Sequence, residues 1–149
     1  MRQNPDYKNY TYRCTGEITA GKNEIHCYGN EVHGTVDLAE SLAYSCNTSF
    51  SNIGLSLDVD EFRKTAEDLL FDTELPCPLI YNESKFNLKK DDGDAAIAMT
   101  AFGQGKLQVS PYYMAMLTSS IANNGILMKP YLVDQITSAQ GETVEKYVP

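Results

Sequence analysis

Ser45-Cys46-Asn47 puts a hydroxyl, a thiol and a carboxamide on consecutive residues, within a small and mostly polar run from Ser45 to Ser49 that interrupts an apolar helical pattern. A serine hydroxyl can carry a proton, and an asparagine amide both donates and accepts hydrogen bonds. Held on a rigid elbow between two helices, the pair would present a proton carrier and a two-way hydrogen-bonding group to a cleft. The same residue types are ordinary helix caps, so the triplet by itself is also accounted for by a purely structural elbow.

The remaining reactive side chains offer less. Cys14, Cys27, Cys46 and Cys77 show no CxxC spacing and have no paired histidine at ligand distance in sequence, so the spacing predicts no zinc site. Cys14 and Cys27 bracket Gly16, Gly21 and Asn23, which let the chain fold back and bring the two sulfurs close enough to bridge. A disulfide in an oxidising compartment and two unpaired thiols in a reduced chain are both open. His26 and His33 are assigned turn or packing roles. The acidic run Asp91-Asp92-Gly93-Asp94 departs from the calcium-loop pattern, since the glycine comes early and no glutamate closes the loop. Gly103-Gln104-Gly105 lacks the third glycine and the acidic partner of a dinucleotide loop. No metal and no cofactor is expected.

The elements that must position these groups follow from periodicity. Residues 1–34 are rich in Tyr, Asn, Thr and Gly and predict loops with a small hairpin, with extended stretches at Tyr10 to Cys14 and Glu24 to Tyr28. Leu38, Leu42 and Ala43 share one helical face, which predicts a helix from about Val36 to Tyr44, capped by Thr35. Phe50, Ile53, Leu55 and Leu57 predict a second helix after the polar elbow. Asp58 caps a third, with Phe62, Ala66, Leu69 and Leu70 inward, Arg63, Lys64, Glu67 and Asp68 towards water, and Pro76 and Pro78 as the stop. Ala95 to Phe102 is a small-residue apolar stretch, and Ser110-Pro111 opens the clearest helix, with Met114, Leu117 and Ile121 apolar and Asn124-Gly125 at its end. Leu127 to Ile136 predicts extended chain. The expectation is one mainly α domain over residues 1–149: a loop and hairpin region at 1–34, a helical lobe at 35–136 and a tail at 137–149, a helix bundle with little sheet.

Composition narrows the partners. The chain has 149 residues with 12 basic and 20 acidic side chains, a net charge of −8, which disfavours nucleic acid and anionic membranes. No window approaches the roughly 20 apolar residues of a membrane span, and the polar start from Met1 to Tyr10 shows no signal peptide.

An ordered set of motifs then points to a family. His33-Gly34-Thr35-Val36-Asp37-Leu38 leading to Ala43-Tyr44-Ser45-Cys46-Asn47-Thr48-Ser49-Phe50 resembles the surroundings of the second active-site motif of penicillin-binding transpeptidases. Ala101-Phe102-Gly103-Gln104-Gly105, Val109-Ser110-Pro111, Met114-Ala115, Ile121-Ala122-Asn123-Asn124-Gly125 and Met128-Lys129-Pro130-Tyr131-Leu132 continue the resemblance in order, so it covers about Cys14 to Ile136. It implies an α-rich lobe of the α+β β-lactamase/transpeptidase-like fold, outside the cytoplasm and belonging to a membrane-anchored parent. The implied activity is acyl transfer on the D-alanyl-D-alanine ends of peptidoglycan stem peptides, with acylation by β-lactams. It assigns Ser45 to proton relay and Asn47 to binding the substrate amide, makes Cys46 the variable middle residue and not a catalytic thiol, and sets Gly103, Gln104 and Gly105 under the active site.

The family also needs a Ser-x-x-Lys nucleophile motif and a Lys-Thr-Gly strand. No serine here precedes a lysine by three residues; Thr19-Ala20-Gly21-Lys22 and Lys64-Thr65-Ala66 are only imitations, the first in a loop and the second in a helix. The expectation is a fragment that carries one wall of a composite site, with other segments of the transpeptidase domain as its partners and the nucleophile elsewhere. A second reading of the same residues is a catalytically inactive module that holds peptides or protein partners.

Overall fold

A computed structural model of the chain describes residues 5–76 and 80–148; Cys77 and Pro78 lie outside the described residues. Helices dominate, accompanied by three separate two-stranded antiparallel ladders. The described chain forms two compact units, one from residues 1–69 and 86–107, the other from 70–85 and 108–149.

In the first unit, β1 (Thr11–Cys14) pairs with the distant β4 (Gly34–Asp37), while β2 (Glu17–Ala20) and β3 (Asn23–His26) make the expected hairpin around Gly21. Gly21 has φ +62°, a left-handed turn conformation that glycine adopts without a Cβ penalty. Thr35 and Val36 are therefore strand, with Val36 buried, and the following helix α1 (Leu38–Ala43) starts later than the periodicity predicts. Asp37 is its cap: the carboxylate accepts from the Glu40 N–H at 2.7 Å while Glu40 accepts from the Asp37 N–H at 2.9 Å, a reciprocal capping box.

Helix α2 (Asn47–Leu55) absorbs most of the polar run, leaving only Tyr44 to Cys46 between helices. Its buried residues are Thr48, Ser49, Ser51 and Gly54, and the predicted Phe50, Ile53 and Leu55 are only partly buried. Small residues win because α2 packs closely on α4 (Asp94–Ala101). A Cβ on Gly54 would stand 2.4 Å from the Ala101 Cβ. Behind this contact, Ala20, Ile25 and Ala98 form a buried cluster with Ile18, Leu55 and Phe102 packed around it.

Helix α3 (Val59–Asp68) is capped by Asp58, which accepts from the Asp60 and Glu61 N–H groups, as expected. It ends at Asp68, eight residues before Pro76, with Leu69 as its C-cap, and Leu70 has φ +70°. Arg63 does not face water alone. Its guanidinium donates to the Phe86 carbonyl at 3.0 Å and to the Leu88 carbonyl, and lies 5.3 Å from the centre of the Phe86 ring.

In the second unit, α5 (Pro111–Ala122) is capped by Ser110, whose hydroxyl accepts from the Tyr113 N–H at 3.2 Å. Tyr113 and Met116 are its buried face, joined by Leu75, Leu70, Phe71 and Tyr81; Met114 and Ile121 are exposed, contrary to the apolar spacing. The helix ends as expected at Asn124 and Gly125, where the Gly125 N–H reaches the Ser120 carbonyl at 2.7 Å. β5 (Gln135–Thr137) and β6 (Thr143–Lys146) close the chain as an exposed hairpin.

Two stability measurements test this packing. Gly54→Ala should lower the unfolding free energy by up to about 2 kcal/mol, and the urea midpoint with it, because overpacking against Ala101 (about 1–3 kcal/mol) outweighs the roughly 1 kcal/mol that alanine contributes to a helix. A raised midpoint would mean that α2 and α4 are not in close contact. Arg63→Lys should cost about 1–2 kcal/mol, since an ammonium cannot serve two carbonyls as a guanidinium fork does; an unchanged midpoint would show that Arg63 is merely solvated.

Candidate functional site

The elbow at Ser45 is built by a reversal of the chain. Ser45 adopts φ +52°, and the N–H groups of Ser45 and Cys46 donate to the carbonyls of Leu42 and Ser41 at 3.1 and 2.9 Å. A left-handed conformation is uncommon for serine, and here it throws successive side chains in different directions. Ser45 is exposed, Cys46 is 0% exposed, and Asn47 is half-buried.

Three attachments fix the elbow to the end of β3 and the segment that leads to β4. Asn47 Nδ2 donates to the His26 carbonyl at 3.1 Å. Tyr44 stacks on His33, with ring centres 5.8 Å apart and planes within 5°. Between them, Cys46 Sγ lies 3.9 Å from Cys27 Sγ in a buried cluster with Cys14. On the far side of α2, Ser41 Oγ, Ser49 Oγ and Tyr10 Oη form a hydroxyl chain with links of 2.7 and 3.0 Å, and Ser41 also donates to the Asp37 carbonyl. α1 and α2 are thus tied together by polar contacts beneath Ser45.

The thiols differ in their surroundings. Cys14, Cys27 and Cys46 are all free, with Cys14 and Cys27 sulfurs 3.7 Å apart. Burial pushes the Cys14 thiol up, but hydrogen bonds from Thr48, the Gly16 N–H and His33 outweigh it and hold the thiol at about 6. Cys46 is pushed up to about 11 by burial, with the Thr48 hydroxyl opposing. Among the described residues, Cys14, Cys27, His33 and Cys46 are a group whose ligand atoms all lie within 4.8 Å of one another.

That grouping was not visible in sequence spacing. The residues are separated by 13 positions between Cys14 and Cys27 and by 19 between Cys27 and Cys46, with no knuckle signature. They meet because β1 pairs with β4 and because Gly16, at φ +93°, turns the chain where a side chain would crowd the Asn30 and Glu31 carbonyls. The histidines also have carboxylates that helical spacing misses. His26 lies 4.0 Å from both Glu17, its partner across the hairpin, and Glu24, while His33 Nε2 is 3.5 Å from Glu31.

Gly103, Gln104 and Gly105 form an exposed turn after α4. Gly103 and Gly105 have φ +81° and +77°, and the Gln104 N–H donates to the Met99 carbonyl at 2.9 Å. These residues belong to the same unit as the elbow and reach it through the α2–α4 packing rather than by direct hydrogen bonding. Among the described residues, no helix is long and apolar enough to cross a membrane.

Comparison with known proteins places these features. The chain is 36% identical over 116 residues to a peptidoglycan D,D-transpeptidase, PbpA, of Mycolicibacterium smegmatis, covering 77% of this chain and 23% of that protein. It is 33% identical over 98 residues to penicillin-binding protein 3 of Bacillus subtilis, covering 66% of this chain and 15% of that protein. The chain thus spans about a quarter or less of the length of these relatives. Its fold matches the crystal structure of PBPA from Mycobacterium tuberculosis with a TM-score of 0.83 and 28% identity, over 93% of this chain and 33% of that one. The D,D-transpeptidase domain of a peptidoglycan glycosyltransferase from Eggerthella lenta matches with a TM-score of 0.84 and 26% identity, over 97% of this chain and 39% of that one. Structures of the M. tuberculosis protein include a penicillin G acyl-enzyme complex. With the penicillin-binding protein transpeptidase domain matching residues 6–149, the chain belongs to that family.

Proposed function

We propose that this chain is one wall of a serine D,D-transpeptidase site that cross-links peptidoglycan stem peptides outside the cytoplasm, in a protein anchored to the membrane. Ser45 relays a proton and Asn47 binds the substrate amide, while the nucleophile comes from a Ser-x-x-Lys motif that this sequence does not contain. The observation that carries the reading is the division of labour at the elbow: Ser45 is exposed at φ +52°, while Cys46 is wholly buried and Asn47 is tethered to the His26 carbonyl. A hydroxyl so held is preorganised, and it has no lysine three residues on to remove its proton.

Exposed apolar side chains beside the elbow support the composite site. Leu42 is 73% exposed and Tyr44 54%. These are the surfaces on which further segments of one transpeptidase domain pack. Gly103 and Gly105, at φ +81° and +77°, turn the chain at the edge of that site in conformations that glycine adopts without a Cβ penalty.

Ser45 as a relay and Ser45 as a nucleophile differ in a direct measurement. Incubated with a fluorescent penicillin and read by intact mass, the chain should show no covalent adduct, since removing a nucleophile costs roughly a million-fold in rate. A stoichiometric adduct that disappears in Ser45→Ala would overturn the assignment. Where the chain is combined with a Ser-x-x-Lys segment in one protein, Ser45→Ala should slow acylation by about 10²–10⁴-fold, the usual contribution of a proton-transfer group. An unchanged rate would remove Ser45 from the chemistry.

A further inference from the structure

We propose that Cys14, Cys27, His33 and Cys46 form a structural zinc site that clamps the Ser45-Cys46-Asn47 elbow. The geometry carries it. A tetrahedral zinc ion with metal–sulfur bonds of about 2.3 Å and a metal–nitrogen bond of about 2.0 Å sets its sulfurs about 3.8 Å apart and a sulfur and nitrogen about 3.5 Å apart. In the structure, Cys14 Sγ to Cys27 Sγ is 3.7 Å, Cys27 Sγ to Cys46 Sγ is 3.9 Å, and Cys14 Sγ to His33 Nδ1 is 3.4 Å. All four ligand atoms lie within 4.8 Å of one another.

The surroundings are those a metal site uses. His33 turns Nδ1 to the sulfurs and Nε2 to the Glu31 carboxylate at 3.5 Å, the second contact that fixes the ring of a metal-bound histidine. The Gly16 N–H and the Thr48 hydroxyl donate to Cys14 Sγ at 3.4 and 3.2 Å, and the same hydroxyl lies 3.5 and 3.4 Å from the sulfurs of Cys27 and Cys46. Such donors suit thiolates, which a neutral apolar cluster of thiols would not require.

Chemistry selects the ion and its role. Three thiolates and an imidazole favour zinc over the hard, oxygen-seeking cations. Three thiolates and a neutral His33 around a zinc ion leave the centre with a charge of −1. The cysteines are 1%, 2% and 0% exposed, so four protein ligands close the shell and leave no position for water or substrate, which makes the site structural. A Cys14–Cys27 disulfide would use two of the sulfurs and leave only His33 Nδ1 and Cys46 Sγ, too few ligands for a closed tetrahedral shell.

The consequence for the motif is specific. Cys46 is the middle residue of the elbow, Cys27 directly follows His26, whose carbonyl holds Asn47, and His33 stacks on Tyr44. A metal ion here joins β1, the end of β3, the approach to β4 and the start of α2 at one point. The site itself does not depend on the assignment of Ser45 and Asn47, so each can fail alone.

The chain, purified with its thiols reduced and in the presence of zinc, should retain one zinc ion per molecule after gel filtration, measured by elemental mass spectrometry. Replacing zinc with cobalt(II) in the unaltered chain should give the intense visible bands of tetrahedral coordination together with thiolate charge transfer. Cys46→Ser and Cys27→Ser should lose the ion, Cys77→Ser should keep it, and Glu31→Gln should weaken affinity by about 10–100-fold. The proposal is overturned if the reduced, unaltered chain retains less than about a tenth of an equivalent of zinc, or if cobalt gives only the weak spectrum of an octahedral ion. It is equally overturned if Cys77→Ser releases the metal, or if intact mass shows two hydrogens missing from a Cys14–Cys27 bridge that persists under the reducing conditions.

Discussion

The Cys46 side chain is wholly buried between Cys27 and Thr48, and the shape of the elbow follows from that one insertion. With the middle residue turned inward and Ser45 in a left-handed conformation, Ser45 faces out and Asn47 is left at the first turn of α2, within reach of the His26 carbonyl. The motif therefore works as a peg with two functional groups on its shoulders. Its rigidity comes from the buried peg together with the tether of Asn47 to the His26 carbonyl.

A peg needs a socket, and the socket is the reason for the irregular first third of the chain. The β1–β4 ladder and the β2–β3 hairpin are each only two strands wide, too small to be stable in isolation. They are held by what they enclose: the sulfur cluster on one side and the Ala20, Ile25 and Ala98 cluster on the other. α2 lies across both, and its small buried residues allow α4 to approach at Gly54. A bulky apolar stripe on α2 would have moved the helix outward and the elbow with it.

The sequence was most legible where local chemistry decides structure. Asp58 and Ser110 cap their helices as expected, Asn124 and Gly125 end α5, and Gly21 turns the hairpin. It was least legible where distant strands meet. Nothing near Thr35 announces that it pairs with Arg13, so a strand was read as the start of a helix. The same pairing gathers Cys14, His33 and Cys46, whose separations match no ligand signature, and the expectation of no zinc site rested on that spacing alone. Apolar periodicity also named the wrong faces of α1 and α5, because Leu42 and Ile121 are exposed in the folded chain. The ordered motifs carried the family even so, since they record positions around a site whose contacts run between elements.

The central claim is that burial of Cys46 against Cys27 holds the elbow as a unit, and amide hydrogen exchange tests it most directly. In the unaltered chain the Cys46 N–H, bonded to the Ser41 carbonyl, and the Phe50 N–H, bonded to the Cys46 carbonyl, should be protected together. In Cys27→Ala, 19 positions away from Cys46, both should exchange at least about tenfold faster, while the α5 amides keep their protection. Faster exchange confined to the β2–β3 hairpin, with Cys46 and Phe50 unchanged, would contradict the account.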